Sequence, residues 1–247
     1  MRSDPDATPG DITGRSVQTL AVARHSFAER IYAQLRLALM SGLYEPGSRL
    51  NIRNLAAAYQ TSQTPVREAI IQLVADGALE LKLGHQPRVP VLTIPGYLEI
   101  RQTRVPLERL AAELSAANMT RRAISDLQQY QRDFLRSEED QDWKKALSAN
   151  QSFHFSIYRK SNNSVLVKVI ENLWLLAGPF VSNQYPLAKR LTFDVHPHDR
   201  IIDALRRGDA KAAGDSVVSD LLEGSQRILD KIKSETRRGS GRRKTSG

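Results

Sequence analysis

Apolar positions follow a helical period along most of the chain, with one short alternating stretch between two helical regions. Phe27, Ile31, Leu35 and Leu39 recur every four residues and Gly42 follows as a stop, which predicts a first helix with one apolar stripe. "NIRNLAAAY" predicts a short second helix with Leu55 and Tyr59 inward and Asn51 as its N-cap. After a three-residue turn, a third helix follows, its buried stripe formed by Val66, Ile70, Leu73 and Val74, and Gly77 ends it. "ALELKL" then alternates apolar and charged residues, "GHQP" is a turn, and "RVPVL" reads as a return strand, together a hairpin.

Beyond Pro95 the pattern stays helical, with helices near residues 97–118, 121–137, 142–160, 163–182, 198–207 and 210–233. Their short connections suit an antiparallel bundle. Pro106 lies inside the first and predicts a kink or a break there. The fold class is mainly α: a flexible N-terminal arm (1–25), a winged helix-turn-helix domain (26–93), an all-helical antiparallel bundle (97–233) and a basic disordered tail (234–247).

Composition narrows the function. Of 247 residues 40% are hydrophobic, enough for a core. No cysteine is present, which excludes a disulfide framework and any thiolate nucleophile or ligand. No apolar run approaches the roughly 18 residues of a membrane span, and the first residues lack the apolar core of a signal peptide. A cytoplasmic protein with no membrane partner is expected. The net charge of +9 is unevenly placed, since the last twelve residues hold five basic side chains and no acidic one, while the body is nearly balanced. A nonspecific nucleoid-type protein would carry basic charge across its body, so patterning has to carry any case for DNA.

The patterning is specific. Two short helices joined by a tight turn, the second polar at its front and apolar at its back, describe a helix-turn-helix. The major groove admits one helix, whose N-terminal side chains reach base edges while its amides meet phosphate. Gln63 and Thr64 can hydrogen-bond to bases or backbone, Arg67 lies one turn on, and Gly84, His85, Gln86 and Arg88 form the tip of the hairpin. The plainer alternative is that Ser62 caps a helix and Arg67 is a solvated charge. The string "EPGSRLNIRNLAAAYQTSQTPVREAIIQLVADGALEL" resembles the N-terminal domain of the GntR family of bacterial transcription regulators. Pro46, Gly47, Leu50, Leu55, Ala56, Ser62, Pro65, Val66, Arg67, Glu68, Ala69, Leu73 and Gly77 carry the match in order. The resemblance implies DNA contacts from Arg53, from Thr61, Ser62, Gln63, Thr64 and Arg67, and from Gly84 and His85 in the wing. Where the family usually has Arg after that Ser, this chain has Gln63; arginine favours guanine and glutamine adenine, so the operator is expected to differ at that base.

The bundle carries polar groups on apolar stripes. Asn150 and His154 share a helical face with Trp143, Leu147 and Ile157; His198 shares one with Ile201, Ile202 and Leu205; Asp220 aligns with Ala213, Val217 and Gly224. Buried polar groups are costly unless satisfied, so these are expected to meet, either as a divalent-metal site or as a buried hydrogen-bond network. His196, two residues before His198, leaves the histidine assignment open. "IRQTRVPLERLAAELSA", "NQSFHFSIYRKSNN" and "HDRIIDALRRGDAKAA" resemble the FCD effector-binding domain of FadR-type GntR regulators. That resemblance implies a metal site at Asn150, His154, His198 and Asp220, with Asn replacing the family's Asp at the first position and Asp replacing its His at the last. Zinc, nickel and manganese are all open. It also implies an effector site at Arg104, His154 and His198, where a cation beside a metal suits a small-molecule carboxylate.

The leading expectation is therefore a homodimeric transcriptional regulator, by family logic a repressor, that binds double-stranded operator DNA and responds to a small organic acid. It is not expected to be an enzyme. The alternative is a metal-dependent enzyme using the His/Asp cluster, against which stands the lack of an extra inward general base or a phosphate-cradling glycine loop.

Overall fold

The computed structural model describes residues 15–91, 93–183 and 195–243. Helices α1 (Arg15–Met40), α2 (Ile52–Ala58) and α3 (Gln63–Ala75) build the N-terminal domain. Leu35 and Leu39 of α1, with Ile70 and Leu73 of α3, are almost completely excluded from solvent. The Tyr32 hydroxyl donates to Asp76 at 2.5 Å and ties α1 to the end of α3. The predicted stripe starts one turn later than expected, since Phe27 is exposed beneath the Arg30 guanidinium. Asn51 caps α2 as predicted, its Oδ1 accepting from the Asn54 amide at 3.1 Å.

The arm expected over residues 1–25 is corrected in part, because α1 already includes residues 15–25. Those residues contain no Pro or Gly, so a helix anchored by Ile31, Leu35 and Leu39 propagates back through them at little cost per residue. Residues 1–14 lie outside the described residues.

The hairpin is reduced to isolated bridges, Glu80 to Arg88 and Arg49 to Arg88, and no longer strand forms among the described residues. Glu80 and Arg88 exchange both backbone hydrogen bonds, and the Val89 amide donates to the Ser48 carbonyl at 2.9 Å. Pro87 and Pro90 flank this point and have no N–H to extend the ladder, so the wing is a loop pinned at its base.

Six further helices form the second domain: α4 (Ile94–Ala116), α5 (Arg121–Glu139), α6 (Trp143–Tyr158), α7 (Ser164–Asn183), α8 (Pro197–Arg206) and α9 (Ala210–Arg243). Side chains of Thr93, Thr120 and Asp142 cap α4, α5 and α6. α4 packs along α9 and α7, α5 against α6 and α8, and α1 reaches across to α7.

Three expectations are corrected here. Pro106 does not break α4, which runs through it with the Arg104–Glu108 pair spanning the site. A proline removes one ladder bond, but burial of Glu108, Ala111 and Ala112 holds the following turns in place. The tail expected to be disordered from residue 234 is helical to Arg243 as the end of α9, and residues 244–247 lie outside the described residues. Finally, the 18-residue stretch Ser164–Val181 of α7 is apolar enough to span a membrane by composition. Half of it is buried within the bundle, where Ile170, Leu175, Ala177 and Phe180 are core.

Candidate functional site

Two surfaces gather the residues singled out in the sequence. The first is the front of α3. Ser62 occupies the N-cap with extended backbone, but its side chain makes no capping hydrogen bond. Pro65, the third residue of the helix, has no N–H to offer, so the usual capping partner is missing. The Ser62 hydroxyl is exposed beside the free amides of the first turn, which contradicts its reading as a simple cap and suits an anion. Gln63, Thr64 and Arg67 are exposed on the same end, with Arg67 Nη2 donating to Gln63 Oε1 at 3.3 Å. Thr61 is half-buried, its amide bonded to the Ala56 carbonyl within the turn.

Arg53 from α2, Arg67 from α3, and Gly84 and His85 from the wing line one shared groove. Gly84 turns the wing with φ of 74°, a left-handed conformation that favours glycine. Three segments far apart in sequence thus present polar and cationic groups to one side of the domain, the arrangement a duplex requires.

The second site is a cavity of about 120 Å³ in the bundle. His154 of α6, His198 of α8 and Asp220 of α9 meet on its wall, with one ligating atom from each within 4.8 Å of the others. His154 Nε2 lies 3.1 Å from Asp220 Oδ2, and His198 Nε2 lies 3.9 Å from Asp220 Oδ1. Asn150, one turn before His154, is half-buried and lines the same cavity.

The outer partners fix which ring nitrogen faces the centre. His198 Nδ1 is 2.6 Å from Gln131 Oε1, and an amide oxygen only accepts, so Nδ1 donates. Burial holds the His198 imidazole neutral, lowering its pKa to about 3, and its Nε2 lone pair therefore faces Asp220. On the other side, Tyr158 donates to Glu108 at 2.6 Å, and burial with the Glu108 charge raises the tyrosine well above its ordinary value. The tyrosine oxygen then accepts from His154 Nδ1 at 3.3 Å. Asp220 is pushed up by burial, but the His154 hydrogen bond and the neighbouring imidazoles outweigh that and lower it to about 2.

Two nitrogen positions and a carboxylate thus point acceptors at one place. Only positive charge resolves this: a proton on His154 Nε2, or a cation held between all three. Ligand atoms about 2.0–2.2 Å from a divalent ion sit roughly 3.0–3.6 Å from one another. The 3.1 Å separation falls within that range and the 3.9 Å one lies just beyond it, and both imidazoles already have the outer hydrogen bond that orients metal-ligating histidines. The donor set fits a divalent cation.

His196 is separated from this role, since its Nδ1 accepts the His198 amide at 3.1 Å and caps α8. Arg104 lines the cavity but is not free. Its guanidinium pairs with Glu108 at 2.5 Å and lies 4.8 Å from the Trp174 ring centroid. Burial works against its charge and the Glu108 carboxylate more than restores it. Glu108 is 1% exposed and accepts from Arg104, Tyr158 and Trp174 together, a buried anion fully satisfied.

Sequence reasoning missed Gln131, Tyr158 and Trp174. Gln131 carried a usable signal, because it interrupts the buried stripe Ile124, Leu127 and Phe134 of α5 as His154 interrupts that of α6. Tyr158 and Trp174 carried none, since aromatic residues on an apolar stripe read as ordinary core.

Two family models cover the two regions. The family model described as "Bacterial regulatory proteins, gntR family" matches residues 27–86, and that described as "FCD domain" matches residues 99–222. The HTH-type transcriptional regulator McbR of Escherichia coli (strain K12) is 32% identical over 154 residues, spanning 62% of this chain and 70% of its own length. The probable D-xylose utilization operon transcriptional repressor of Paenarthrobacter nicotinovorans is 28% identical over 197 residues, spanning 78% and 84%. The solved structure of E. coli McbR/YncC matches with a TM-score of 0.78 at 26% identity, covering 83% of this chain and 98% of that one.

Proposed function

Since the chain belongs to the GntR family of bacterial regulatory proteins and carries an FCD domain, it is a DNA-binding transcriptional regulator, and we propose that it is a homodimeric repressor released from its operator by a small carboxylate. Regulator names among the relatives give the alternative of a metal-dependent enzyme no support. The observation that carries the proposal is the convergence of His154, His198 and Asp220 on a cavity lined mainly by the helical bundle.

In this reading Arg53, Arg67 and the first turn of α3 engage phosphates and base edges, with Gln63 reading adenine. His154, His198 and Asp220 hold a divalent cation, zinc, nickel or manganese, and Asn150 borders the position left for effector. When bound, such a cation supplies Lewis acidity toward a carboxylate oxygen. The chain does the rest: Gln131 and Tyr158 orient the imidazoles, Trp174 packs on the His154 ring, and Arg104, neutralised by Glu108, lines the cavity as a hydrogen-bond donor. Leu110 and Leu114, one turn apart on α4, are 42% and 40% exposed and give a second copy an apolar strip to cover.

Two measurements test this. Full-length chain should enrich discrete palindromic fragments from fragmented genomic DNA, and random recovery would defeat the regulator's sequence specificity. Elemental analysis of untagged protein should find about one divalent ion per chain, lost in Asp220→Ala; a metal-free, folded and carboxylate-responsive protein would remove the cation from the account.

A further inference from the structure

The cavity is not made by the bundle alone. Met40, the last residue of α1 and therefore part of the DNA-binding domain, lines it together with His154 and Asp220. Met40 is held at two points, its side chain by α6 and its backbone by α7. Gln151 Nε2 of α6 lies 3.8 Å from Met40 Sδ. On α7, Gly178 approaches so closely that an added Cβ would sit 2.5 Å from the Leu39 carbonyl oxygen and 2.6 Å from Met40 Cα.

The spacing of these contacts gives the cavity a direction. Gln151 is three residues before His154 on α6, and Gly178 is four residues after Trp174 on α7. Trp174 packs on the His154 ring at 5.4 Å. Each helix thus carries one residue at the polar end and, one turn away, one residue against α1. A helical turn is about 5 Å, roughly the reach of a four- or five-carbon chain. Leu147, Ala177, Val181, Leu221 and Ile228 are among the linings, so the space beyond the His/Asp cluster suits an apolar tail.

We propose that Met40 is the far wall of the effector site, so that the DNA-binding domain senses the tail length of the bound acid directly. An unbranched carboxylate with about five or more carbons presses on Met40, while a shorter one binds without reaching it. The inference rests on the carboxylate reading given above. A packed interior transmits strain, and the Gly178 contact leaves no slack on that side. Displacement of Met40 therefore moves the last turn of α1, and with it α3, because Leu35 and Leu39 share a core with Ile70 and Leu73 and Tyr32 is bonded to Asp76.

The test uses full-length protein with zinc chloride, titrated with acetate or hexanoate. Calorimetry reads binding, and hydrogen exchange of residues 36–43 reads the end of α1. Both acids should bind, and hexanoate alone should change exchange in that segment, by several-fold. With hexanoate raised until calorimetry shows the site filled, at whatever affinity, Met40→Ala should lose the exchange response, while Met40→Leu, which keeps the bulk, should retain it. An equal exchange response to both acids, or an undiminished response in Met40→Ala, would overturn the proposal while leaving the carboxylate site standing. If neither acid binds, the carboxylate reading falls and this inference with it.

Discussion

The front of α3 and the floor of the cavity are opposite solutions to placing polar groups. On α3 the polar side chains are exposed, few are bonded to one another, and the Ser62 hydroxyl makes no capping bond. In the cavity the ionisable groups are buried and bonded: Glu108 by three donors, His154 by Tyr158 and His198 by Gln131. The difference teaches where each surface stores its function. Groups on α3 are inexpensive to expose and are replaceable without harm to the fold, so their sequence reflects what they bind. Groups in the cavity are costly to bury and must satisfy one another first, so changing one disturbs both fold and binding.

Glu108→Ala should sharpen that contrast most. It leaves Arg104 buried without its partner, and breaking a buried pair costs about 3–5 kcal/mol, visible as a large drop in the midpoint of urea unfolding. Arg67→Ala should do the reverse. Operator affinity should fall about 10- to 100-fold, as for loss of a bidentate base contact, with no change in the unfolding midpoint or oligomeric state. A destabilised Arg67→Ala would mean that α3 uses this residue structurally.

Acid should act on the cavity. His198 is neutral when folded down to about pH 3 but takes up a proton near 6.5 when unfolded, so below 6.5 the unfolded chain binds more protons. Metal-free protein should therefore lose stability from pH 6.5 toward 3, by roughly 2 kcal/mol at pH 5. Asp220, lowered from 3.8 to about 2, extends the loss through that lower window. His198→Gln should flatten the slope between pH 6.5 and 5, and an unaltered slope would place the titration elsewhere. The smallest effect belongs to residues 236–247, whose deletion should reduce the salt dependence of DNA binding slightly without changing operator choice.

The same contrast explains what the sequence made legible. The α3 surface was readable because a helix-turn-helix imposes many fixed spacings, from Pro46 to Gly77. His154, His198 and Asp220 were readable because ionisable groups on apolar stripes stand out. Asn150, read as part of the same set, lines the cavity with them. Met40 was not readable at all: a methionine at the end of an amphipathic helix looks like core, and only the packing of α1 on α7 brings it to the cavity. Pro106 misled because a local rule about proline was overridden by the packing of α4. The arm and tail misled because composition says little about how far an anchored helix extends.

The central claim is that the buried cluster governs the exposed surface. The direct test is the equilibrium affinity of the full chain for a duplex it has itself selected, measured with zinc present, before and after saturation with hexanoate. Hexanoate should weaken binding about fivefold or more in the native chain and leave His154→Ala unaffected. Equal affinity with and without bound hexanoate in the native chain, or the same weakening in His154→Ala, would contradict it.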